Sequence, residues 1–196
     1  MEGRYIAICV IAISLFLVSS LHVRSLEQRA FRGDTRDEII QIWNVTLAYE
    51  SYDRCYDVFI YGDYVCIVGY YTTYFGDLDC YLRWYNFDGE CVRWKNWGDE
   101  YTDVARGVYV YEDYIYVVGY KNVTGKGFNL FLVKFDFNTG AQEWIIDWGG
   151  PKDEHGEKLF VYKDYIYIVG YVGIPGDYNM FIMKYDLDGN KIWNKT

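Results

Sequence analysis

The stretch YEDYIYVVGY (111–120) decides the fold, because the chain writes it three times. YGDYVCIVGY (61–70) and VYKDYIYIVGY (161–171) repeat it, and the closing Gly-Tyr pairs fall at 69–70, 119–120 and 170–171, a spacing of 50 and then 51 residues. Inside each copy a tight turn at Gly62-Asp63, Glu112-Asp113 or Lys163-Asp164 is followed by a dense β-branched and aromatic run. Such a run suits a strand buried on both faces, and the Asp suits a turn because its carboxylate accepts local backbone donors.

Outward from this block, two more recur in phase. LDCYLRWYNFDG (78–89), NLFLVKFDFNTG (129–140) and YNMFIMKYDLDG (178–189) form the second. VRWKNWGDEYTD (92–103), EWIIDWGGPKDE (143–154) and IWNKT (192–196) form the third, with Trp97 and Trp148 in register, each followed by Gly. Internal repetition at this period marks an array of small structural units. Each unit reads as four strands: a short strand a such as Gly107–Tyr111, strand b at Tyr114–Tyr120, strand c at Leu130–Phe137 and strand d at Gln142–Trp148. Asp88-Gly89, Asn138-Thr139-Gly140 and Asp188-Gly189 mark the c–d turn as a hairpin. The expected fold is therefore all-β, a β-propeller-like array of about three four-stranded antiparallel blades, incomplete or open, behind an N-terminal hydrophobic export helix. The blades are expected at 53–100, 103–151 and 154–196, within a repeat region of 39–196. An orphan strand d is expected at 40–50, where Trp43 aligns with Trp144 and Leu47 with Trp148.

Gly149, Gly150, Glu154, Gly170, Asp177, Lys184, Asp186, Gly189 and Trp193 carry a pattern that resembles the SBBP family of β-propeller repeats. The resemblance spans about residues 40–196 and implies extracytoplasmic scaffolding or binding, with no catalytic residues attached. It is weakest in the first unit, where Trp84 and Asn86 stand in place of the later Lys and Asp. A second resemblance, of Asp136 and FNTGAQEW (137–144) to quinoprotein propeller repeats, implies a Trp docked between blades.

Residues 1–25 read as a signal peptide or signal-anchor: Arg4 precedes an uncharged, mostly apolar run from Tyr5 to Leu21. Residues 26–38 read as a polar tether. The rest of the chain is thus expected outside the cytoplasm, secreted or anchored at the cell surface, meeting the membrane only through its N-terminal segment. A net charge of −9 argues against nucleic acid as a partner, since its phosphates need a basic face. Cys55, Cys66, Cys80 and Cys91 lack the C-x-x-C spacing of a zinc site and leave two readings open, disulfides or small buried strand residues.

No constellation in the sequence points to catalysis, so no catalytic, cofactor-binding or metal residue and no cofactor is assigned. Asp77, Asp79 and Asp177 could offer oxygens to calcium but lack the spacing of a known loop, and turn chemistry is the plainer reading. Asp136 and Asp186, two residues after Lys134 and Lys184, suggest a repeated ion pair or turn contact. His155 reads as a solvated loop residue beside Glu154 and Glu157. Asn44, Asn122 and Asn194 begin glycosylation sequons, Asn122 on a b–c loop being the most accessible. The functional expectation is a non-enzymatic binding or scaffolding surface for a protein or glycan. A secreted polysaccharide-acting or quinoprotein-like enzyme, and a structural fragment of a longer propeller, are the competing readings. Self-association or further blades would close the ring.

Overall fold

The computed structural model describes residues 44–45 and 52–196. The expected export segment, tether and orphan strand lie outside the described residues, Asn44 and Val45 excepted. Among the described residues, twelve strands make three separate four-stranded antiparallel sheets, each a meander in chain order. Sheet 1 holds β1 (Arg54–Tyr61), β2 (Tyr64–Thr72), β3 (Leu78–Asn86) and β4 (Cys91–Trp97). Sheet 2 holds β5 (Asp103–Tyr111), β6 (Tyr114–Val123), β7 (Gly127–Asp136) and β8 (Gln142–Trp148). Sheet 3 holds β9 (Asp153–Tyr162), β10 (Tyr165–Ile174), β11 (Asp177–Asp186) and β12 (Lys191–Lys195).

The three registers match pair for pair. Tyr64 faces Asn86, Tyr114 faces Asp136 and Tyr165 faces Asp186, and the ladders run on from there in step. The first strand of each sheet is longer than the sequence suggests, because a bulge breaks its alternation. The register skips one residue between Cys55 and Asp57 and between Ala105 and Gly107, and again between Gly156 and Lys158, leaving Tyr56, Arg106 and Glu157 at equivalent bulge positions. The bulge also explains the repeated Gly of the Gly-Tyr pair. A Cβ on Gly69, Gly119 or Gly170 would drive into the carbonyl of Arg54, Val104 or His155, with the Tyr81, Phe131 or Phe181 side chain crowding it too.

The sheets stack face to face. Side chains of β2 and β3 such as Val68 and Leu82 meet Val108, Ile115, Val117 and Phe131 of sheet 2. On the far face of sheet 2, Tyr116, Val118, Leu130 and Leu132 meet Ile166, Ile168, Phe181 and Met183 of sheet 3. Each sheet thus has a leading face toward the sheet before it and a trailing face toward the sheet after. Burying one such aliphatic side chain is worth about 1.5–3 kcal/mol, so these two interfaces hold the array together. The first strands β1, β5 and β9 also touch one another in sequence, which sets the sheets around a common line.

The departure in the first unit has a simple geometry. In sheets 2 and 3 a lysine on the third strand faces a tryptophan on the fourth: Lys134 with Trp144, and Lys184 with Trp193. In sheet 1 the pair is exchanged, with Trp84 facing Arg93. The cation keeps its role. Lys134 Nζ donates to the Leu187 carbonyl of sheet 3 at 3.3 Å, and Arg93 Nη1 donates to the equivalent Phe137 carbonyl of sheet 2 at 3.0 Å. Trp94, one residue on, points to the opposite face and is exposed.

Candidate functional site

In an antiparallel meander the β2–β3, β6–β7 and β10–β11 loops share one end with the links between sheets. The opposite end carries only hairpins. Those hairpins absorb the recurring acids: Asp136 Oδ1 accepts from the Thr139 amide at 2.6 Å, and Asp186 Oδ1 from the Asn190 amide at 2.8 Å. Asn86 Oδ1 accepts from the Glu90 amide at 2.9 Å in the same way, so the Asn in the first unit conserves the contact. Hydrogen bonds from the Thr139 hydroxyl and the Asn190 side-chain amide, with the backbone amides second, hold the Asp136 and Asp186 carboxyls below their ordinary pKa. The lysines lie instead over tyrosine rings, Lys134 above Tyr114 at 3.8 Å and Lys184 above Tyr165 at 3.4 Å. Of the two expectations, turn contact is the one the structure shows.

The loop end is different in kind. Tyr74 and Phe75, at the tip of the β2–β3 loop, are 86% and 87% exposed and meet edge to face with centroids 5.6 Å apart. Tyr52, Tyr101 and Tyr178 are exposed there as well. A shallow cleft of about 360 Å³ opens between sheets 2 and 3, lined by Asn122, Lys126, Pro151, Lys152, Asp153 and Ile174 among others. Asn122 belongs to strand β6, where it faces Phe128 and donates its amide to the Thr102 carbonyl. It is half-buried, so the more accessible sequons are those of Asn44 and Asn194, both exposed.

His155 is not a solvated loop residue. It sits on β9, buried, with its ring 4.0 Å from Tyr120 and stacked on Tyr171 at 4.6 Å. Burial lowers its pKa, and Nδ1 has no hydrogen-bond partner. Its register equivalents are Arg54 and Val104, strand residues both, and that alignment was the signal in the sequence.

Sequence reasoning also missed a charged row along the first strands. Arg106 lies over the Tyr56 ring at 3.9 Å and donates to Glu157 Oε2 through Nε at 2.9 Å, so the three bulge residues form one line. Asp57 ties all three sheets: its Oδ2 accepts from the Val108 amide at 2.9 Å and its Oδ1 pairs with Lys158 at 2.6 Å. The clue was that these positions differ in type from unit to unit while their surroundings repeat. The charges in the row pair across sheets, Arg106 with Glu157 and Lys158 with Asp57.

Two further acids, Asp103 and Glu154, sit where two sheets join. Asp103 is buried and its Oδ2 accepts from the Asp99 amide at 3.0 Å; burial pushes its pKa up to about 6. Glu154 does the same for the Gly150 amide at 3.0 Å in the next link, its pKa also raised by burial. Repetition identifies this as linker architecture. Among the described residues no group of three or more His, Cys, Asp or Glu is placed to hold a metal ion. Asp79 lies on β3 of sheet 1, Asp77 ends the loop just before it, and Asp177 begins β11 of sheet 3. Cys66 and Cys80 are buried free thiols on the trailing face of sheet 1, and burial carries the Cys66 pKa up to about 12. Cys91 is an exposed free thiol, and the Cys55 thiol donates to the Asp57 carbonyl at 3.5 Å.

Fold and site together define a class: an all-β chain of repeated blade-like sheets with an aromatic loop end. Compared with known proteins, the chain matches no family model and no curated protein.

Proposed function

We propose that the chain is an extracytoplasmic β-propeller module of SBBP type, an open arc of blades that binds a glycan or protein surface at its loop end without turning it over. Three sheets stacked about their first strands support the propeller reading, because radial stacking protects sheet edges and leaves one loop-rich end free. The observation that carries the binding reading is the Tyr74–Phe75 pair. Two adjacent rings left almost wholly in water at a loop tip contribute nothing to this fold, whereas flat apolar faces stack well on sugar rings and on peptide side chains. Beside the pair, the Tyr71 hydroxyl donates to Asp79 Oδ2 and the Thr72 hydroxyl donates to the Tyr52 carbonyl, contacts that hold the loop in place beneath the rings.

A glycan array probed with the full chain, with released reducing sugar measured in parallel, tests this. Binding is expected without sugar release, and Tyr74→Ser/Phe75→Ser is expected to weaken it at least tenfold while leaving the thermal midpoint unchanged. Turnover of any bound glycan, or binding indifferent to the double substitution, would contradict the proposal.

A further inference from the structure

The loop end of sheet 1 departs from that of sheet 2 where the fold asks the same of both. Counted from the paired rungs Tyr70–Cys80 and Tyr120–Leu130, Tyr74, Phe75 and Asp77 take the loop positions of Thr124, Gly125 and Gly127. In the link that follows, Asp99 and Glu100 stand where Gly150 and Pro151 stand after sheet 2. The β2–β3 loop (70–80) and its link (96–103) thus hold five acids, Asp77, Asp79, Asp99, Glu100 and Asp103, and no Lys or Arg. The matching segments of sheet 2 (120–130 and 147–154) are balanced, with Lys121, Lys126 and Lys152 against Asp147, Asp153 and Glu154. Both links nevertheless fold alike: Asp103 accepts from the Asp99 amide as Glu154 does from the Gly150 amide. The added rings and carboxylates of sheet 1 are surplus to the fold.

These groups also converge. The Thr73 amide donates to the Asp77 carbonyl at 2.8 Å and the Gly76 amide to the Thr73 carbonyl at 3.0 Å, so one tight turn carries Tyr74, Phe75 and Asp77. Gly98 lies so close to the Asp79 carboxylate that a Cβ there would collide with it, which brings the link against the base of that turn. Burial first, and then the Asp77 and Asp99 charges, raise the Asp79 pKa against the Tyr71 hydrogen bond, as crowding of like charges requires. Among the described residues, the Asp77 and Glu100 carboxylates take part in no ion pair or hydrogen bond. Tyr101, beside Glu100, is exposed as well.

Rings and carboxylates select the same charge. The face of a Tyr or Phe ring attracts a cation through its quadrupole, and a free carboxylate attracts it directly. The net charge of −9 adds a field that draws cations toward the molecule. A folded protein partner fits this surface poorly, because interface cores are depleted of charge and here the carboxylates are interleaved with the rings. A sugar bearing a free amine offers an apolar ring face and an ammonium group within one residue. We infer that the loop end of sheet 1 selects a cationic glycan, a chain of hexosamine units with free amines, whose sugar faces stack on Tyr74 and Phe75 while its ammonium groups pair with Asp77 and Glu100. This rests on the glycan-binding reading above and fixes the charge of the ligand.

Titration calorimetry of the full chain in non-ionic detergent, with a glucosamine hexamer and its N-acetylated counterpart as probes, tests this. The two probes share rings and linkage and differ in charge. At about pH 6 and low salt the free-amine hexamer is expected to bind at least about tenfold more tightly, and to lose that lead in roughly 0.5 M salt. Asp77→Asn/Glu100→Gln is expected to bring the two hexamers within about threefold of each other with the thermal midpoint unchanged, since neither carboxylate holds the fold. Equal binding of the N-acetylated hexamer, or a preference untouched by salt or by the double substitution, would overturn the inference. Nona-arginine binding more tightly than the free-amine hexamer would overturn it too, by marking a basic protein as the partner. An array that retains only neutral or acidic glycans would remove this inference and leave the glycan reading standing, whereas an array that retains nothing would remove both.

Discussion

Sheets 2 and 3 carry nearly the same residues on their trailing faces and treat them oppositely. Leu132 is wholly buried and Ile182 is not, yet both sit at the same rung beside a lysine stacked on tyrosine. Burial in this molecule is decided by whether a neighbour follows, and the local sequence of a sheet does not say. The same residue pattern therefore has a structural value in sheet 2 that it lacks in sheet 3 of a single copy.

The sharpest way to break that comparison is a pair of truncations. Leu132→Ala should cost about 2–5 kcal/mol in denaturant unfolding, and Ile182→Ala under about 1 kcal/mol when the chain is dilute. Equal costs would mean that sheet 3 is covered in the monomer. The exchanged pair in sheet 1 gives the next test. Trp84→Lys should cost about 3 kcal/mol or more, since it empties a fully buried site and leaves two cations face to face. Adding Arg93→Trp rebuilds the arrangement of sheets 2 and 3, and should return about 1–3 kcal/mol as a coupling energy in the double-mutant cycle.

The two links between sheets can be compared through pH. Asp103 has a folded pKa of about 6 against an ordinary value of 3.8, so between those values the native state holds a proton that the unfolded chain releases. Its contribution therefore favours folding most below about pH 4 and is lost as pH rises through 6, a change on the order of 2 kcal/mol. Asp103→Asn should flatten this part of the profile when parent and variant are subtracted. The smallest effect is expected at the two-residue turns. Glu112 and Lys163 have φ of 53° and 56° where sheet 1 has Gly62 at 55°. Glycine adopts that left-handed region without a Cβ penalty, so Glu112→Gly and Lys163→Gly should each stabilise by about 0.5–1 kcal/mol in thermal melts.

The architecture was legible because it is written three times, and strand β8 runs from Gln142 to Trp148 as its sequence suggests. The first strands were misjudged in length because a bulge at Tyr56, Arg106 or Glu157 destroys the alternation on which strand reading depends. His155 was misplaced for the same reason: it precedes the bulge, and its charged neighbours Glu154 and Glu157 look like loop chemistry. The exposed Tyr74–Phe75 tip was hidden by abundance, since 23 tyrosines give no hint of which face solvent. The contacts of Asp57 with Val108 and Lys158 cross three units, and no local pattern encodes them.

Methyl NOEs test the stacking of the sheets most directly. The account predicts cross-peaks linking Leu130 and Leu132 to Ile166, Ile168 and Met183, with Val169 and Ile182 reporting solvent in the dilute monomer. Leucine methyls of β7 that see only their own sheet, or that see the valines of sheet 1, would contradict it.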